Sequence, residues 1–426
     1  MGGLALGFPA RSFGNIIGAN DRVNVAFMGC GRRVGAYYES LNEQYNSRLL
    51  YICDVKASQR ERVAKDLSER LSYQPEVIED IQTALDDDQL DAVFIAPPDH
   101  WHATAGYMAM EAGKHVYIEK PLTHNPAESE LLKSYQNRYG SVFQMGNQQR
   151  SSAHTREIIN EIHNGAIGRP YKAVAFYTNN RGRVINPVEQ APPADLNWDL
   201  YQGPAPREDY RHNTWDYNWH WYGWKWGTAE MGNNAIHELD IARWALQVDY
   251  PRHVEVQANK NHFQDDGWEM YDTMYATYHF ADNKIINWDG KSRNGYSTYG
   301  SGRGTIIYGS EGSVFVNRST YRLHDRNGEL VKEKDFGSDE SGTALGGGGS
   351  MSTSHVVNFF DAIRGKAQPR SPVELGVRST HLCHLANIAY RSDKSFEVNP
   401  EDGRILDDEA MKFWKRTYEP GWEPKG

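Results

Sequence analysis

The sequence predicts two domains in series: an α/β domain built on a doubly wound parallel sheet, then an α+β domain with a large, mostly antiparallel open sheet. Three observations carry this reading. Up to about residue 150, short continuous apolar runs alternate with amphipathic stretches; beyond it, apolar residues alternate by twos; and the first apolar run empties into a glycine-rich turn. Strands buried on both faces read as continuous apolar runs, as a parallel sheet with helical crossovers requires, whereas period-two alternation marks a sheet with one buried face.

Residues 1–21 come first. The stretch 2-GGLALGFPARSFG-14 is small and apolar and reads either as a flexible arm or as the remnant of an export signal. The second reading places the protein in an exported, periplasmic setting, the first in the cytoplasm. A first domain is expected over residues 22–148, with strands 23-VNVAFMG-29, 49-LLYICD-54, 91-DAVFIA-96, 115-HVYIE-119 and 142-VFQMG-146. Helix-like segments at 60–71, 103–112 and 127–139 separate them. The second domain is expected over 149–426. There a helix-like piece, 153-AHTREIINEI-162, precedes alternating strands at 171–177, 253–258, 273–280, 284–289, 304–309 and 312–317. Two amphipathic helices follow, 355-HVVNFFDAIRG-365 and 376-GVRSTHLCHLANIAYRS-392, while 179–210 and 334–350 read as loops.

Composition sets several function classes aside. With 46 Lys+Arg against 56 Asp+Glu and no basic block, the chain lacks the clustered positive charge of nucleic-acid binding. No run approaches the ~18 apolar residues of a membrane span. Cys30, Cys53 and Cys383 are too few and too scattered for a disulfide framework or a zinc site and read as small core residues.

The first strand runs into 29-GCGRRVG-35, after which a helix is expected. Gly29 and Gly31 allow a tight turn whose backbone approaches a pyrophosphate, with Arg32 and Arg33 beside it. That is the context of a dinucleotide-binding Rossmann domain, although Val34 stands where the motif wants a small residue and Gly35 follows it. Asp54 ends the second strand. A carboxylate there accepts hydrogen bonds from ribose hydroxyls and repels a 2′-phosphate, which favours NAD over NADP; the competing reading is an exposed strand-end acid. The run ending at Ala96 empties into 97-PPDHWH-102. Two histidines without a matching cluster make a weak metal case, so Pro97, Asp99 and His102 are assigned to cofactor contact and no metal is expected. The next strand, 115-HVYIE-119, ends in the same crevice and delivers Glu119, Lys120 and Pro121 there, Pro121 stopping the strand because it has no N–H to offer.

The segments 117-YIEKPLTH-124, 29-GCGRRVG-35 and 97-PPDHWH-102 together resemble the Gfo/Idh/MocA family of sugar and cyclitol dehydrogenases. The resemblance covers Val23 to about Arg150 motif by motif and the second domain by architecture. It implies NAD-dependent hydride transfer at a ring hydroxyl carbon of a sugar, glycoside or cyclitol, with Lys120 reaching the substrate hydroxyl and the open sheet forming a homo-oligomer contact. It also implies an alternative, because relatives hydrolyse glycosidic bonds with tightly held NAD by transient oxidation, elimination and re-reduction. A second alternative is a nucleotide- or sugar-binding protein with altered catalysis.

The family's second-domain signature is an aspartate followed four residues later by a histidine on a helix. In 230-EMGNNAIHELDIARWAL-246, His237 matches the histidine and Asn233 replaces the aspartate; Ile236, Leu239, Ala242 and Leu246 form the opposite, core-facing stripe. An amide holds neither proton nor charge, so Asn233 is left to orient a hydroxyl. Lys120 and His237 are therefore the expected catalytic pair, His237 as acid/base and Lys120 polarising the oxygen, with the roles interchangeable. Candidate substrate-binding residues are Asn233, Asp240, Gln148 and Trp226. Candidate cofactor contacts are Gly29, Gly31, Arg32, Arg33, Asp54, Pro97, Asp99, His102, Glu119, Lys120 and Asn147. Glu119 is expected against the lysine or the nicotinamide ribose, while 146-GNQQRSS-152 is equally a plain interdomain turn. The tryptophan-rich 215-WDYNWHWYGWKW-226 is a sugar-stacking platform, a structural patch or a subunit contact.

Overall fold

The structure is a computed structural model that describes residues 21–211, 217–336 and 350–424. The signal-like arm through Asn20, Trp215 and the glycine run at 346–349 lie outside the described residues.

Six strands form the first sheet: β1 (Val23–Met28), β2 (Ser47–Cys53), β3 (Glu76–Ile78), β4 (Ala92–Ile95), β5 (His115–Ile118) and β6 (Phe143–Met145). All pairings are parallel and the order is β3-β2-β1-β4-β5-β6, so the winding reverses between β1 and β4. Ligands bind outside the strand ends at such a reversal. Helices α1 (Ala57–Ser68), α2 (Gln82–Leu85), α3 (Asp99–Glu111) and α4 (Pro126–Tyr139) supply the crossovers. α4 shows the local logic. Asn125 caps it by accepting from Glu128 N, Pro126 opens it, and Gly140 at φ +69° ends it. β3 was not visible in the sequence because it is three residues long with only Ile78 buried, too short for a period to register.

The helix expected after the glycine turn is instead a 3-10 segment, Val34–Ser40, with no capping side chain. Gly35, two tyrosines and Ser40 are weak helix formers, and packing of Val34, Ala36 and Tyr37 under the sheet holds the segment in place.

The second sheet runs β15-β14-β13-β12-β7-β10-β9-β8-β16, with β11 (Arg293–Asn294) paired to β7. Its strands are β7 (Pro170–Asn180), β8 (His253–Asn259), β9 (Thr273–His279), β10 (Ile285–Lys291), β12 (Arg303–Gly309), β13 (Gly312–Val316), β14 (Thr320–Asp325), β15 (Leu330–Asp335) and β16 (Phe396–Glu397). Only the β7–β10 pairing is parallel. The β14–β15 hairpin escaped the sequence reading because β15, LVKEKD, is almost wholly exposed and carries no apolar alternation. One face of the sheet is covered by α5 (Ala153–His163), α7 (Ile236–Leu246) and α9 (Val373–Ser392), which follow and flank the short α6 (Trp198–Gln202) and α8 (Ser350–Ile363) in the chain. The stripe Ile236, Leu239, Ala242 and Leu246 is fully buried there, as its spacing predicts. The other face carries half-open aromatic side chains, Tyr171 and Tyr275 among them.

Two long-range features tie the halves together. α8, assigned by sequence position to the second domain, packs Phe359 and Phe360 against Phe94 of the first sheet, so the chain returns to its starting domain. Arg150, just past β6, makes a bidentate pair with Asp240 of α7, at 2.7 and 2.8 Å, and Ser379 of α9 donates to the same carboxylate. Asp240 was expected to bind substrate. The structure corrects this: the residue is 1% exposed and its carboxylate is sealed in the ion pair. Asp240→Ala leaves Arg150 buried and unpaired, so the expected outcome is a loss of about 3–5 kcal/mol in stability, seen as a lower thermal midpoint, with the cofactor affinity of the folded fraction unaltered.

Candidate active site

A cleft of about 1000 Å³ opens along the C-terminal ends of β1, β2, β4 and β5 and is closed on its far side by the second domain. Gly29 has φ +91°, and a Cβ there would lie 2.5 Å from Pro97 N, so this turn accepts only glycine. At Gly31 a Cβ would meet nothing within 4 Å; the turn faces open space. Asp54 reaches back to the turn, accepting from Cys30 N at 2.6 Å and from Lys56 N at 2.9 Å. Burial pushes its carboxyl upward while those amides, Arg60 and Arg62 pull the other way. An open glycine turn at the winding reversal, faced by a strand-end carboxylate, fits a dinucleotide. With no α-helix after the turn, the Gly29–Gly31 backbone and Arg32 are what remains to meet a pyrophosphate.

Arg33 also lines the cleft but is committed to another task. Its Nε donates to Glu119 Oε1 at 2.8 Å, and the same oxygen accepts from Tyr37 Oη at 2.8 Å and Gln148 Nε2 at 3.1 Å. Burial alone would raise the Glu119 carboxyl; the Arg33 charge and these bonds outweigh it and hold it below the usual range. Glu119 therefore pairs with Arg33 rather than with the lysine or a ribose alone, and Gly146 packs so close that a Cβ there would sit 2.8 Å from Oε1.

Lys120 follows, joined to Pro121 by a cis peptide bond. Its Nζ donates to the main-chain carbonyl of Asn233 at 2.7 Å and more weakly to Asn233 Oδ1 at 3.4 Å. Burial brings the amine down to about 8; Glu119 and Asp99 oppose this, while Arg33 and Arg318 add to it. Asn233 lies on a π-helical turn, Met231–Ala235, that runs into α7, rather than on the regular helix its spacing predicts. Its Nδ2 donates to Tyr217 Oη at 3.2 Å and Glu230 Oε1 at 3.1 Å, so the amide is largely occupied by the protein. His237, in the first turn of α7, lines the same cleft. Burial first, then Arg318 and Lys120, hold its imidazole well below the ordinary range, so it is neutral at pH 7.

Most of the remaining candidates line the cleft too: Arg32, Pro97, Asp99, His102 and Gln148. His102 is fixed between Pro121 O at 2.6 Å and Pro97 O at 3.0 Å, which ties the β4 and β5 ends together. Asp99 accepts from Thr228 N at 3.0 Å and Thr228 Oγ1 at 2.6 Å. Two candidates lie elsewhere. Asn147 is buried outside the cleft wall, and Trp226 is 1% exposed, packed on His100, Tyr201 and Trp198. The aromatic segment thus divides, with Tyr217, Trp219 and His220 on the cleft wall and Trp221 stacked on Trp268 in the core. Residues that sequence reasoning missed are Arg181, Arg303 and Arg318, which come from strand ends and a turn of the second sheet. No local motif marks them, because only the sheet's tertiary placement brings them to the cleft. No group of three or more His, Cys, Asp or Glu that could hold a metal occurs among the described residues.

A Rossmann sheet with an open phosphate turn, sharing its cleft with a second-domain helix that carries a neutral histidine, defines a two-domain, dinucleotide-binding protein. The chain belongs to the Gfo/Idh/MocA family: the family's NAD-binding Rossmann fold matches residues 23–147 and its C-terminal alpha/beta domain matches residues 195–398. The scyllo-inositol 2-dehydrogenase (NAD(+)) of Bacillus subtilis (strain 168) is 26% identical over 301 residues, 69% of this chain and 74% of that protein. A glycosyl hydrolase family 109 protein of Shewanella sp. (strain W3-18-1) is 24% identical over 204 residues, 47% of this chain and 40% of that protein. Some curated relatives are matched over well under two thirds of their length, an uncharacterized oxidoreductase of B. subtilis over 42%. The structure of levoglucosan dehydrogenase in complex with NADH and levoglucosan superposes with a TM-score of 0.65 at 18% identity, covering 88% of this chain and 99% of that one.

Gly29→Ala combines a left-handed φ with a clash against Pro97 N. The expected outcome is a destabilisation of about 1–3 kcal/mol together with loss of NADH binding, read from the quenching of protein fluorescence on titration.

Proposed function

We propose that this protein is an NAD-dependent dehydrogenase that oxidises a ring CH–OH of a sugar, glycoside or cyclitol to a carbonyl. The observation that carries the reading is that one cleft, between the strand end of the first domain and α7 of the second, is lined by both a buried lysine amine at about 8 and a histidine held neutral. Bound NAD⁺ supplies the hydride acceptor. Gly29, Gly31, Arg32 and Asp54 are the residues placed to hold it. Asp54 supports NAD over NADP, and the nearby cations already face carboxylates: Lys56 with Asp195 at 2.5 Å, Arg60 with Glu79 at 3.6 Å, and Arg62 with Asp66 at 3.3 Å. A 2′-phosphate would meet a carboxylate without a free counter-charge.

The sequence left open which of Lys120 and His237 moves the proton. A general base works best with a pKa near the operating pH. Lys120 meets that condition, whereas His237 is too weak a base once burial and two neighbouring cations have acted on it. We therefore assign the hydroxyl proton to Lys120 Nζ, with neutral His237 hydrogen-bonding the same oxygen. Asn233 positions the lysine through its carbonyl. The dehydrogenases named among the relatives support a polyhydroxy ring as substrate.

The test is a screen of glycosides and cyclitols for reduction of NAD⁺, with NADP⁺ in parallel. Oxidation requires the free amine of Lys120, so kcat/KM should rise about tenfold per pH unit below 8 and level off above it, because the proton that blocks the base is lost there. No second break should appear near 6.5, since His237 stays neutral throughout. Lys120→Ala should lower kcat by about two to four orders of magnitude and abolish the break near pH 8 while NADH still binds. Cleavage of a glycoside with no NADH accumulating would replace this reading with the hydrolase one.

A further inference from the structure

We infer that the substrate carries a carboxylate on its sugar ring and that Arg318 is the residue that selects it; this deepens the dehydrogenase reading and rests on it. Arg318 sits on the turn between β13 and β14 and lines the cleft. The turn is rigid. Asn317 Oδ1 accepts from Ser319 N at 2.9 Å and Thr320 N at 2.8 Å, and Asn317 O accepts from Gln149 Nε2 at 3.2 Å and lies 3.1 Å from His154 Nε2.

What singles out Arg318 is how the other cations are used. Arg33 pairs with Glu119 at 2.8 Å, Arg181 with Glu230 at 3.3 Å, and Arg303 with Glu238 at 2.6 Å. Arg318 forms no hydrogen bond and no ion pair with any described residue. Among the described residues it is the cleft-lining guanidinium that is left for a ligand. Burial, and then the charge of Arg303, hold it down to about 9; Glu238 opposes them but is ion-paired to Arg303 and does not offset them.

The missing anion is not the dinucleotide's pyrophosphate. That group belongs at the Gly29–Gly31 turn, whereas Arg318 lines the cleft together with His237 and Lys120 and is the charge that most affects His237. A ligand anion at Arg318 is therefore on the molecule whose hydroxyl meets Lys120. The planar fork of a guanidinium matches a carboxylate through two parallel hydrogen bonds, and a ring carboxylate is rigid enough to fix which carbon faces the cofactor. A positive charge on the nicotinamide adds to the local excess, which an anionic substrate relieves.

The experiment compares methyl glucuronide, methyl glucoside and methyl glucoside 6-sulfate with wild-type protein, Arg318→Met and Arg318→Lys, NAD⁺ being saturating. In wild type, kcat/KM for the uronide should exceed that for the neutral glycoside by about 10–100-fold. Arg318→Met should reduce that ratio at least tenfold, mainly through the KM of the uronide, and Arg318→Lys should restore part of it. Equal or better use of the neutral glycoside by wild type, or an unchanged ratio in Arg318→Met, overturns the inference and leaves the dehydrogenase reading standing. Preference for the sulfate over the uronide overturns the carboxylate assignment. If no saccharide is oxidised, the dehydrogenase reading falls. Uronide binding to the NADH-loaded protein then decides the role of Arg318: it stands only if calorimetry shows binding that Arg318→Met weakens at least tenfold.

Discussion

The hydrogen bond from Lys120 Nζ to the Asn233 carbonyl spans the two halves of the molecule, joining the end of a parallel strand to the π-turn that leads into the central helix of the second domain. A lysine amine removed from water resists carrying its charge. Here the Glu119 and Asp99 carboxylates compensate in part, leaving the amine at about 8, where it can both hold and release a proton, while the main-chain oxygen fixes where it stands. The site depends on both partners being fixed. Strand β5 fixes one through buried Val116, Tyr117 and Ile118, and the π-turn, packed in the second core through Met231 and Ala235, fixes the other.

Two guanidinium–carboxylate pairs divide the surrounding work, one buried and one at the cleft edge. Arg150 and Asp240 are sealed from the cleft and stitch the linker after β6 to α7 and α9. Arg33 and Glu119 stand at the cleft edge, where Glu119 also gathers Tyr37 and Gln148. The first is a structural clasp. The second fixes the electrostatic setting of Lys120, since the residual field of Glu119 opposes the depression of the amine that burial produces. Farther along the wall, Glu230 and Glu238 balance Arg181 and Arg303, and Arg318 remains without a partner of its own among the described residues.

Much of this was legible in the sequence, and the reason is local. Five of the six parallel strands declared themselves because burial on both faces forces apolar continuity, and the glycine turn, Asp54 and Lys120 fall at strand ends, where the sheet must deliver them to the crevice. The helical spacing that places His237 opposite a buried stripe held as well. What failed had no periodic signal: the short edge strand β3, the exposed strand β15 and the 3-10 segment after the glycines. Asp240 and Trp226 failed differently. Each lies near the site in sequence but faces a partner that no local pattern reveals, Arg150 in one case and the His100–Tyr201 cluster in the other.

The sequence by itself determined the order of elements and the crevice, because alternation and glycine placement are properties of neighbouring residues. Only the tertiary structure decided the chemistry of the crevice. The proton affinities of Lys120 and His237, and the arginine without an ion pair among the described residues, follow from burial and from charges on distant segments of the chain. Those are sums over space, and sequence distance does not encode them.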